Sequence, residues 1–346
     1  NLDDMEEVLD QIEAEGKLDP EFHEILIRKA YKKISTHYLS LCEAHSTTTI
    51  DPKNKTSKIL LKEGENPYQI PANLIVEGCN DTLSLGSFQQ VSGEPPCFTN
   101  VADWDSILKI LCYLSEVFRK YFNKVPHILI AAKHGNPCGI GVDWDSSQKA
   151  LESALFGNPK SVWGGEVITN FDIDPAIGQM LLASAKRKEK LDNPNWMLDL
   201  IVAPNISAES IKILGKRKER KLYSNLSLKE AHIDKTEWSS RPVRGGRLEQ
   251  PTNNYILDLS DCNIQVPSIE NKIKESLAIA WATTFHSNHG GNEVAIAKEG
   301  QLLGVGGGPS TIEAVEIALN RAKSCGHNLQ GSVFVADAFF PFTDAP

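Results

Sequence analysis

The chain has 346 residues, of which 41% are hydrophobic and 23% charged, and its formal net charge at pH 7 is −9. This length and balance predict about two globular domains and exclude a disulfide-stapled miniprotein, a disordered chain and a membrane-spanning one. The negative charge disfavours nucleic acid as a partner, because a polyanion is repelled unless basic side chains are concentrated locally.

The first apolar residues recur at helical spacing in residues 2–12 and 22–41, which predicts two amphipathic helices. Residues 43–57 are rich in Thr, Ser, Asp, Lys and Pro, a composition typical of an exposed connector. We therefore place an N-terminal helical lead-in and connector at residues 1–57.

Alternating strands and helices are expected next, in a first α/β unit at residues 58–240. The pattern predicts strands at 59–61, 74–76, 127–132 and 162–169, and helices at 104–118 and 146–156. Residues 127–132 (HILIAA) are continuously apolar, as in a strand buried on both faces. Gly135, Pro137, Gly139 and Gly141 follow, so we expect residues 133–141 to be a turn that joins this strand to the next helix.

The same order of elements recurs later, in a second α/β unit at residues 241–346. The pattern predicts a helix at 269–284, strands at 293–298, 302–308 and 332–336, with a glycine turn at 306–308, and a helix at 310–324. The recurrence predicts an internal duplication within a layered α/β fold, with its chemistry in the loops beyond the strand ends.

Seven cysteines are scattered along the chain and no two have C-x-x-C spacing. Unpaired cysteines are typical of a reducing compartment, so we expect a cytoplasmic protein. The lack of paired thiols also removes the usual structural zinc sites, and we predict no metal.

The string Lys133-His134-Gly135-Asn136-Pro137-Cys138-Gly139 is the most informative candidate for chemistry. An imidazole beside an ammonium group, at the rim of a buried strand, stays neutral and available as a base. The alternative, which is the commoner meaning of a single Lys-His pair, is a turn with an exposed lysine and a hydrogen-bonded histidine.

This string resembles the K-H-x-N-P-C-G signature of the aminoimidazolecarboxamide ribonucleotide (AICAR) transformylases, the formyl-transferring half of a bifunctional purine-synthesis protein. Further segments resemble family motifs in the same order. They are residues 64–69 (GENPYQ), 99–103 (TNVAD), 161–165 (SVWGG), 199–204, 241–250, 287–288 (SN) and 336–342 (ADAFFPF). Collinear matches over about residues 20–344 are far more specific than any single motif.

The resemblance implies a fold of two related cytidine-deaminase-like units and a homodimer whose sites form across the subunit interface. It implies transfer of the formyl group of 10-formyltetrahydrofolate to the exocyclic amine of AICAR in de novo purine biosynthesis. The lead-in helices resemble only the connector from the cyclohydrolase half, so no cyclohydrolase activity is expected. We expect small-molecule substrates and neither a membrane nor a nucleic-acid partner.

The resemblance also assigns roles to individual residues. His134 would accept the amine proton, Lys133 would stabilise developing charge or protonate the departing folate nitrogen, and Asn288 would donate a hydrogen bond at the reacting centre. The residues expected to contact the nucleotide or the folate are Lys62, Glu63, Gly64, Asn100, Asn136, Gly164, Gly165, Asp199, Phe339, Phe342 and Asp344.

The sequence departs from the family pattern at three of its positions. Lys62 and Glu63 stand where the family usually has Arg-Tyr, and Ile312 replaces another arginine. Lysine lacks the bidentate fork that arginine offers to a phosphate. The family pattern also continues past Pro346, so we expect the second unit to be truncated. Two alternatives remain: a formyltransferase with a different aminoimidazole or amine acceptor, or an inert paralogue that binds folate or nucleotide.

Overall fold

The chain divides into two compact units, Asn1–Lys55 and Thr56–Pro346. The computed structural model describes residues 2–44, 57–76, 81–233, 238–259, 269–286 and 291–337. The first unit contains α1 (Leu2–Glu15) and α2 (Pro20–Ala44), which confirms the two predicted lead-in helices. The boundary near residue 240 stays a prediction. None of the helices in the described ranges is long and apolar enough to cross a membrane.

The second compact unit, Thr56–Pro346, holds the remaining α-helices and all the strands of the described residues. Its helices are α3 (Phe98–Phe122), α4 (Ser147–Leu155), α5 (Pro175–Leu182), α6 (Ala185–Leu191), α7 (Ala208–Leu214), α8 (Asn271–His286) and α9 (Thr311–Ser324). Its strands are β1 (Ser57–Leu61), β2 (Ala72–Val76), β3 (Gln89–Ser92), β4 (His127–Lys133), β5 (Asn136–Asp143), β6 (Glu166–Thr169), β7 (Leu200–Ala203), β8 (Lys221–Ser224), β9 (Trp238–Val243), β10 (Gly246–Pro251), β11 (Asn292–Lys298), β12 (Gln301–Gly308) and β13 (Val333–Ala336).

A mixed sheet of nine strands organises the described part of this unit. Its order is β13-β11-β12-β5-β4-β6-β7-β8-β3. The neighbours β6, β7 and β8 are parallel, and the other pairs are antiparallel. The strand β4 lies in the middle of the sheet, which explains its continuous apolar run. This architecture confirms the predicted α/β class.

Helices cover both faces of the sheet, so the unit has three layers. Alternate residues of β4 face opposite sides: Ile128 and Ile130 pack in the core beneath α3 and α8, whereas Leu129 packs in the core beneath α4, α5 and α7. The last helix, α9, packs on the β11–β12 hairpin through a third apolar cluster. The site described below lies at one end of the central strands.

The predicted turn over residues 133–141 is wrong in its extent, because β5 begins at Asn136 and pairs with β4, so only residues 134–135 form a turn. Gly139 and Gly141 allow close packing rather than a turn. A Cβ at Gly139 would lie 1.8 Å from the backbone oxygen of Ala154 in α4. Pro137 has no backbone N–H to donate to the neighbouring strand. It lies where the pairing register shifts between Ala131 and Ala132, and a β-bulge of this kind does not require a regular inter-strand hydrogen bond there.

The hairpin β11–β12 is built in the same way. The expected glycine turn at 306–308 is also wrong, because β12 continues to Gly308. Cβ atoms at Gly304 and Gly306 would lie 2.4 and 2.2 Å from the backbone oxygens of Ala318 and Ala314 in α9. The glycines therefore bring each hairpin into close contact with the helix that follows it.

Candidate active site

The Lys133-His134 pair lies at the tip of the β4–β5 hairpin. Lys133 pairs with Asn136, so the turn consists of His134 and Gly135 alone. Both have positive φ, 54° and 73°, as a type I′ hairpin turn requires. A histidine in this conformation is strained, and such strain persists only where neighbouring groups hold the backbone.

Asp103 of α3 is the group that holds this turn. Its Oδ2 accepts a hydrogen bond from the backbone N–H of His134 at 2.7 Å, and its Oδ1 accepts one from the N–H of Gly135. The Asp103 residue is only 3% exposed. The carboxylate thus binds both N–H groups of the turn, and charge-assisted bonds of this kind are stronger than neutral ones.

A second buried carboxyl lies beside Asp103. Glu166, the first residue of β6, is 3% exposed, and its Oε1 accepts a hydrogen bond from Nδ2 of Asn100 at 2.7 Å. Asn100 in turn accepts from the backbone N–H of Cys97 at 3.1 Å, which completes a capping box at the start of α3. Burial, and then the charge of Asp103, raises the pKa of Glu166 well above its ordinary value.

Lys133 is oriented by the loop that precedes β6. Its Nζ donates to the backbone oxygen of Trp163 at 2.5 Å. Gly164 has a φ of 72°, and a Cβ at Gly165 would lie 2.5 Å from the oxygen of Ala132 in β4. The two glycines therefore let this loop approach β4 closely enough to bind the lysine.

These groups line a cavity of about 250 Å³, called here the smaller cavity. It brings together seven of the predicted site residues: Lys62, Glu63, Asn100, Lys133, His134, Gly164 and Asp199. Its other lining residues are Cys97, Thr99, Asp103, Glu166, Glu219 and Lys221. The lining includes three lysines and five acidic side chains, so positive charge is available at individual lysines but the smaller cavity as a whole is not basic.

Three of the charged residues in the smaller cavity have salt-bridge partners, and one of them is Glu219, whose Oε2 lies 3.6 Å from Nε of Arg217. Lys62 Nζ lies 2.9 Å from Oε2 of Glu94, and this hydrogen bond raises the pKa of Lys62. Asp199 Oδ1 lies 3.0 Å from Nη2 of Arg217. The Lys62 ammonium group is thus already paired where the family pattern has an arginine.

A larger cavity of about 540 Å³ lies against the same hairpin tip. Lys133, His134 and the predicted Asn136 line it, together with Trp163 and several residues of β12. Asn136 Nδ2 donates to the backbone oxygen of His134 at 2.8 Å, a further restraint on the turn. Basic side chains of Lys160 and Arg321 also line this cavity.

An outer cavity of about 500 Å³ contacts His134 from a third side and includes Asp103, Phe285 and His286. Burial, and then the charge of Lys109, lowers the pKa of His286 to about 4. His134 lines all three cavities, so ligands in any two of them would meet at its imidazole.

The remaining predicted site residues are not in these cavities. Gly64 lines a separate cavity with Tyr68 and donates its N–H to the oxygen of Gln69 at 3.0 Å, and Gly165 only supports the loop around Gly164. Asn288, Phe339, Phe342 and Asp344 lie outside the described residues. In the described ranges, no three His, Cys, Asp or Glu side chains are grouped as a metal site.

The sequence reasoning missed Asp103, Glu166 and Lys221. Asp103 was visible one turn of helix after Asn100, where three residues of spacing place both side chains on one face. Glu166 was visible as a carboxyl directly after two glycines in an otherwise apolar strand. Lys221 had no such signal, because it lies in a basic run that is typical of an exposed face.

Comparisons with known proteins identify relatives of this chain. A family model described as AICARFT/IMPCHase bienzyme matches residues 1–321. The bifunctional purine biosynthesis proteins PurH of Bacillus cereus strain AH187 and Bacillus anthracis strain CDC 684 are each 29% identical over 357 aligned residues. Each alignment covers 99% of this chain and 62% of the relative, so the chain spans less than two thirds of the length of these curated relatives. The chain belongs to the AICARFT/IMPCHase bienzyme family.

Proposed function

We propose that the chain is an AICAR transformylase, which moves the formyl group of 10-formyltetrahydrofolate to the exocyclic amine of AICAR in purine biosynthesis. The observation that carries this proposal is the position of Lys133 and His134, which line both the smaller and the larger cavity. A group transfer needs two substrates to meet at one point, and these two residues occupy it. The family membership and the PurH relatives support the same reaction.

The chemistry of the acceptor explains why the hairpin tip carries a base and a cation. The exocyclic amine is a poor nucleophile, because its lone pair is delocalised into the ring and carboxamide. As its nitrogen bonds to the formyl carbon, His134 takes the amine proton. Lys133 stabilises the tetrahedral oxyanion. The bond between the formyl carbon and the folate nitrogen then breaks as Lys133 donates a proton to that nitrogen, and the proton that His134 took from the amine restores the charge of Lys133. Asn288 is proposed to donate a hydrogen bond to the same centre.

The folate and the nucleotide are assigned to different cavities. We place AICAR in the smaller cavity, where Asn100 and Gly164 provide polar and close backbone contacts, and Asp199, which the resemblance assigns to the folate, lies at the same cavity. The folate is assigned to the larger cavity, where the Trp163 indole offers a stacking surface and Lys160 an ammonium group for its carboxylates. Phe339, Phe342 and Asp344 are proposed to contact the two ligands, as the resemblance implies.

A different acceptor is the second candidate, and a specific contact favours it. Lys62 is paired with Glu94, and Glu63 lines the same cavity with a negative charge. Both features weaken this region as a phosphate site. A non-phosphorylated or otherwise modified aminoimidazole would then be the preferred amine, with the same transfer chemistry at His134.

The compact unit Thr56–Pro346 is proposed to consist of two related cytidine-deaminase-like halves that arose by duplication. In one half, α3 is followed by the hairpin β4–β5 and then α4, and in the other α8 is followed by β11–β12 and α9. In both halves, two glycines of the second strand lie against backbone oxygens of the next helix. The two hairpins are joined through β5 and β12, which pair antiparallel.

The protein is proposed to act as a cytoplasmic homodimer. The hairpin β9–β10 is exposed on all twelve residues, including Trp238 and Leu248. An isolated two-stranded hairpin is only marginally stable in water, so a second copy of the chain is its proposed partner. Four cysteines are free thiols in the described residues, which fits a reducing compartment.

A formyl-transfer assay with the full chain tests the proposal. Wild-type protein should release tetrahydrofolate from 10-formyltetrahydrofolate only when AICAR is present. His134→Gln should abolish turnover, whereas His127→Gln, at the opposite end of β4, should retain it. Equal turnover of phosphorylated and dephosphorylated AICAR would favour the second acceptor. Binding of both ligands without turnover would contradict the proposal and identify an inert binding paralogue.

A further inference from the structure

Glu166 is a buried carboxyl that the transfer chemistry does not use. Its Oε1 accepts from Asn100, whereas its Oε2 is buried and receives no hydrogen bond from a donor in the described part of the chain. The Glu166 side chain also contacts the carboxyl of Asp103, and both residues line the smaller cavity. Two carboxyl groups in hydrogen-bonding contact, each only 3% exposed, cannot both be ionised at low cost.

The surrounding contacts decide which of the two carries the proton. Asp103 accepts N–H bonds from His134 and Gly135 on both of its oxygens, and such bonds favour the ionised form. Among the described residues, Glu166 accepts a hydrogen bond from Asn100 alone. The proton therefore belongs on Glu166, where its Oε2 turns from an unpartnered acceptor into a donor.

We propose that Glu166 is a protonated positioning residue, whose carboxyl donates a hydrogen bond to the Asp103 carboxylate and so helps to hold the His134–Gly135 turn. The protonation of Glu166 follows from its contacts in the fold and does not depend on the substrate. Only the expected effect on turnover rests on the proposed function. The raised pKa of Glu166 supports this assignment, and burial is its first cause.

Other charged and titratable groups face this pair from the neighbouring elements. They are Lys133 of β4, His134, Cys138 of β5, Asp199 before β7, Lys221 of β8, Lys62, Glu63, Cys97 and Glu219. Burial raises the pKa of Cys138 to about 12, so its thiol stays neutral. The nearby charge of Asp199 further disfavours ionisation of Glu166. Loss of the Glu166 proton would place a second carboxylate against Asp103, and their repulsion would loosen the turn.

The pH dependence of unfolding tests the proton site without any activity measurement. Since the folded state keeps a proton that the unfolded chain releases above the ordinary value of 4.5, Glu166 contributes less stability as the pH rises toward its raised pKa. Urea unfolding of the full chain, followed by tryptophan fluorescence, should be compared between wild type and Glu166→Gln at pH 5 to 7. The ratio of their unfolding constants should grow with pH, by about tenfold per pH unit wherever Glu166 is protonated in the folded state and ionised in the unfolded chain.

Glu316→Gln, on the exposed face of α9, provides the control, and its ratio to wild type should stay constant. If Glu166→Gln does not fold, Glu166→Leu serves in its place, because leucine also carries no titrating group. A constant ratio between wild type and the Glu166 variant over pH 5 to 7 would overturn the proposal, since it would show that Glu166 is ionised in the folded protein.

Turnover provides a separate readout. At neutral pH, Glu166→Gln should keep kcat within about threefold, because the amide also donates to Asp103. Wild type should lose kcat as the pH rises and Glu166 ionises, and the variant should lack this loss. Glu166→Leu should lower kcat with little change in either KM. If the unfolding ratio depends on pH as expected but no variant transfers a formyl group, the proposed function fails while the proton site stands.

Discussion

Replacement of Asp103 by asparagine tests the support of the hairpin tip most sharply. Asp103 uses both oxygens to bind the N–H groups of His134 and Gly135. An asparagine in the same position can present only one oxygen, so in either orientation its NH₂ group faces an N–H donor. The variant loses one charge-assisted bond and leaves a partly buried N–H unpaired, a cost of about 1–3 kcal/mol in the free energy of unfolding.

The free-energy cost of Asp103→Asn also sets an upper limit on the decrease in kcat. If about 2 kcal/mol of the loss falls on the turn conformation, kcat decreases by at most about 30-fold. Asp105→Asn is the matched control, because Asp105 lies on the same helix but forms an exposed pair with Lys109 at 2.6 Å. Its loss should cost less than about 0.5 kcal/mol. Urea unfolding and formyl transfer measure both variants, and equal stability of the two would refute the reasoning.

Three further predictions concern packing, the acceptor and pH. Gly139→Ala should destabilise the second unit by about 1–3 kcal/mol in urea unfolding, because the new Cβ would overlap a backbone oxygen of α4, whereas Gly246→Ala has open space and should be neutral. Glu94→Gln should release Lys62 and lower the KM for a phosphorylated acceptor severalfold, without changing that for the dephosphorylated one; an equal change in both would contradict a phosphate contact. His286→Gln should gain stability relative to wild type as the pH falls from about 6.5 to 4. The lowered pKa keeps His286 neutral in the folded state, whereas the unfolded chain takes up a proton there, so acid favours unfolding of wild type. Parallel curves of stability against pH for the two proteins would contradict a lowered pKa at His286.

The elements with strong periodicity were predictable from sequence. The helix α3 and the strand β4 have apolar patterns that depend only on their own residues, and both were confirmed. The strand β5 was missed because Gly139 and Gly141 are typical of turns. Their actual role, close approach to α4, depends on a helix that lies elsewhere in the chain and has no local signature.

The candidate site was predictable only in part, for the same reason. Lys133 and His134 are adjacent in sequence and were recognised together through their resemblance to a family motif. The contact between Asn100 and Glu166 joins residues 66 positions apart, and no local pattern predicts it. The pairing of Lys62 with Glu94 likewise became visible only in the structure. Such long-range contacts decide protonation and charge, which a motif does not encode.

The central claim is that the His134 imidazole accepts the amine proton during formyl transfer. The most direct measurement is the single-turnover rate of formyl transfer to AICAR by His134→Gln, with binding of both ligands measured on the same variant. The account predicts a rate lower by about 10²–10⁴-fold with both ligands still bound. A rate equal to that of wild type would contradict it.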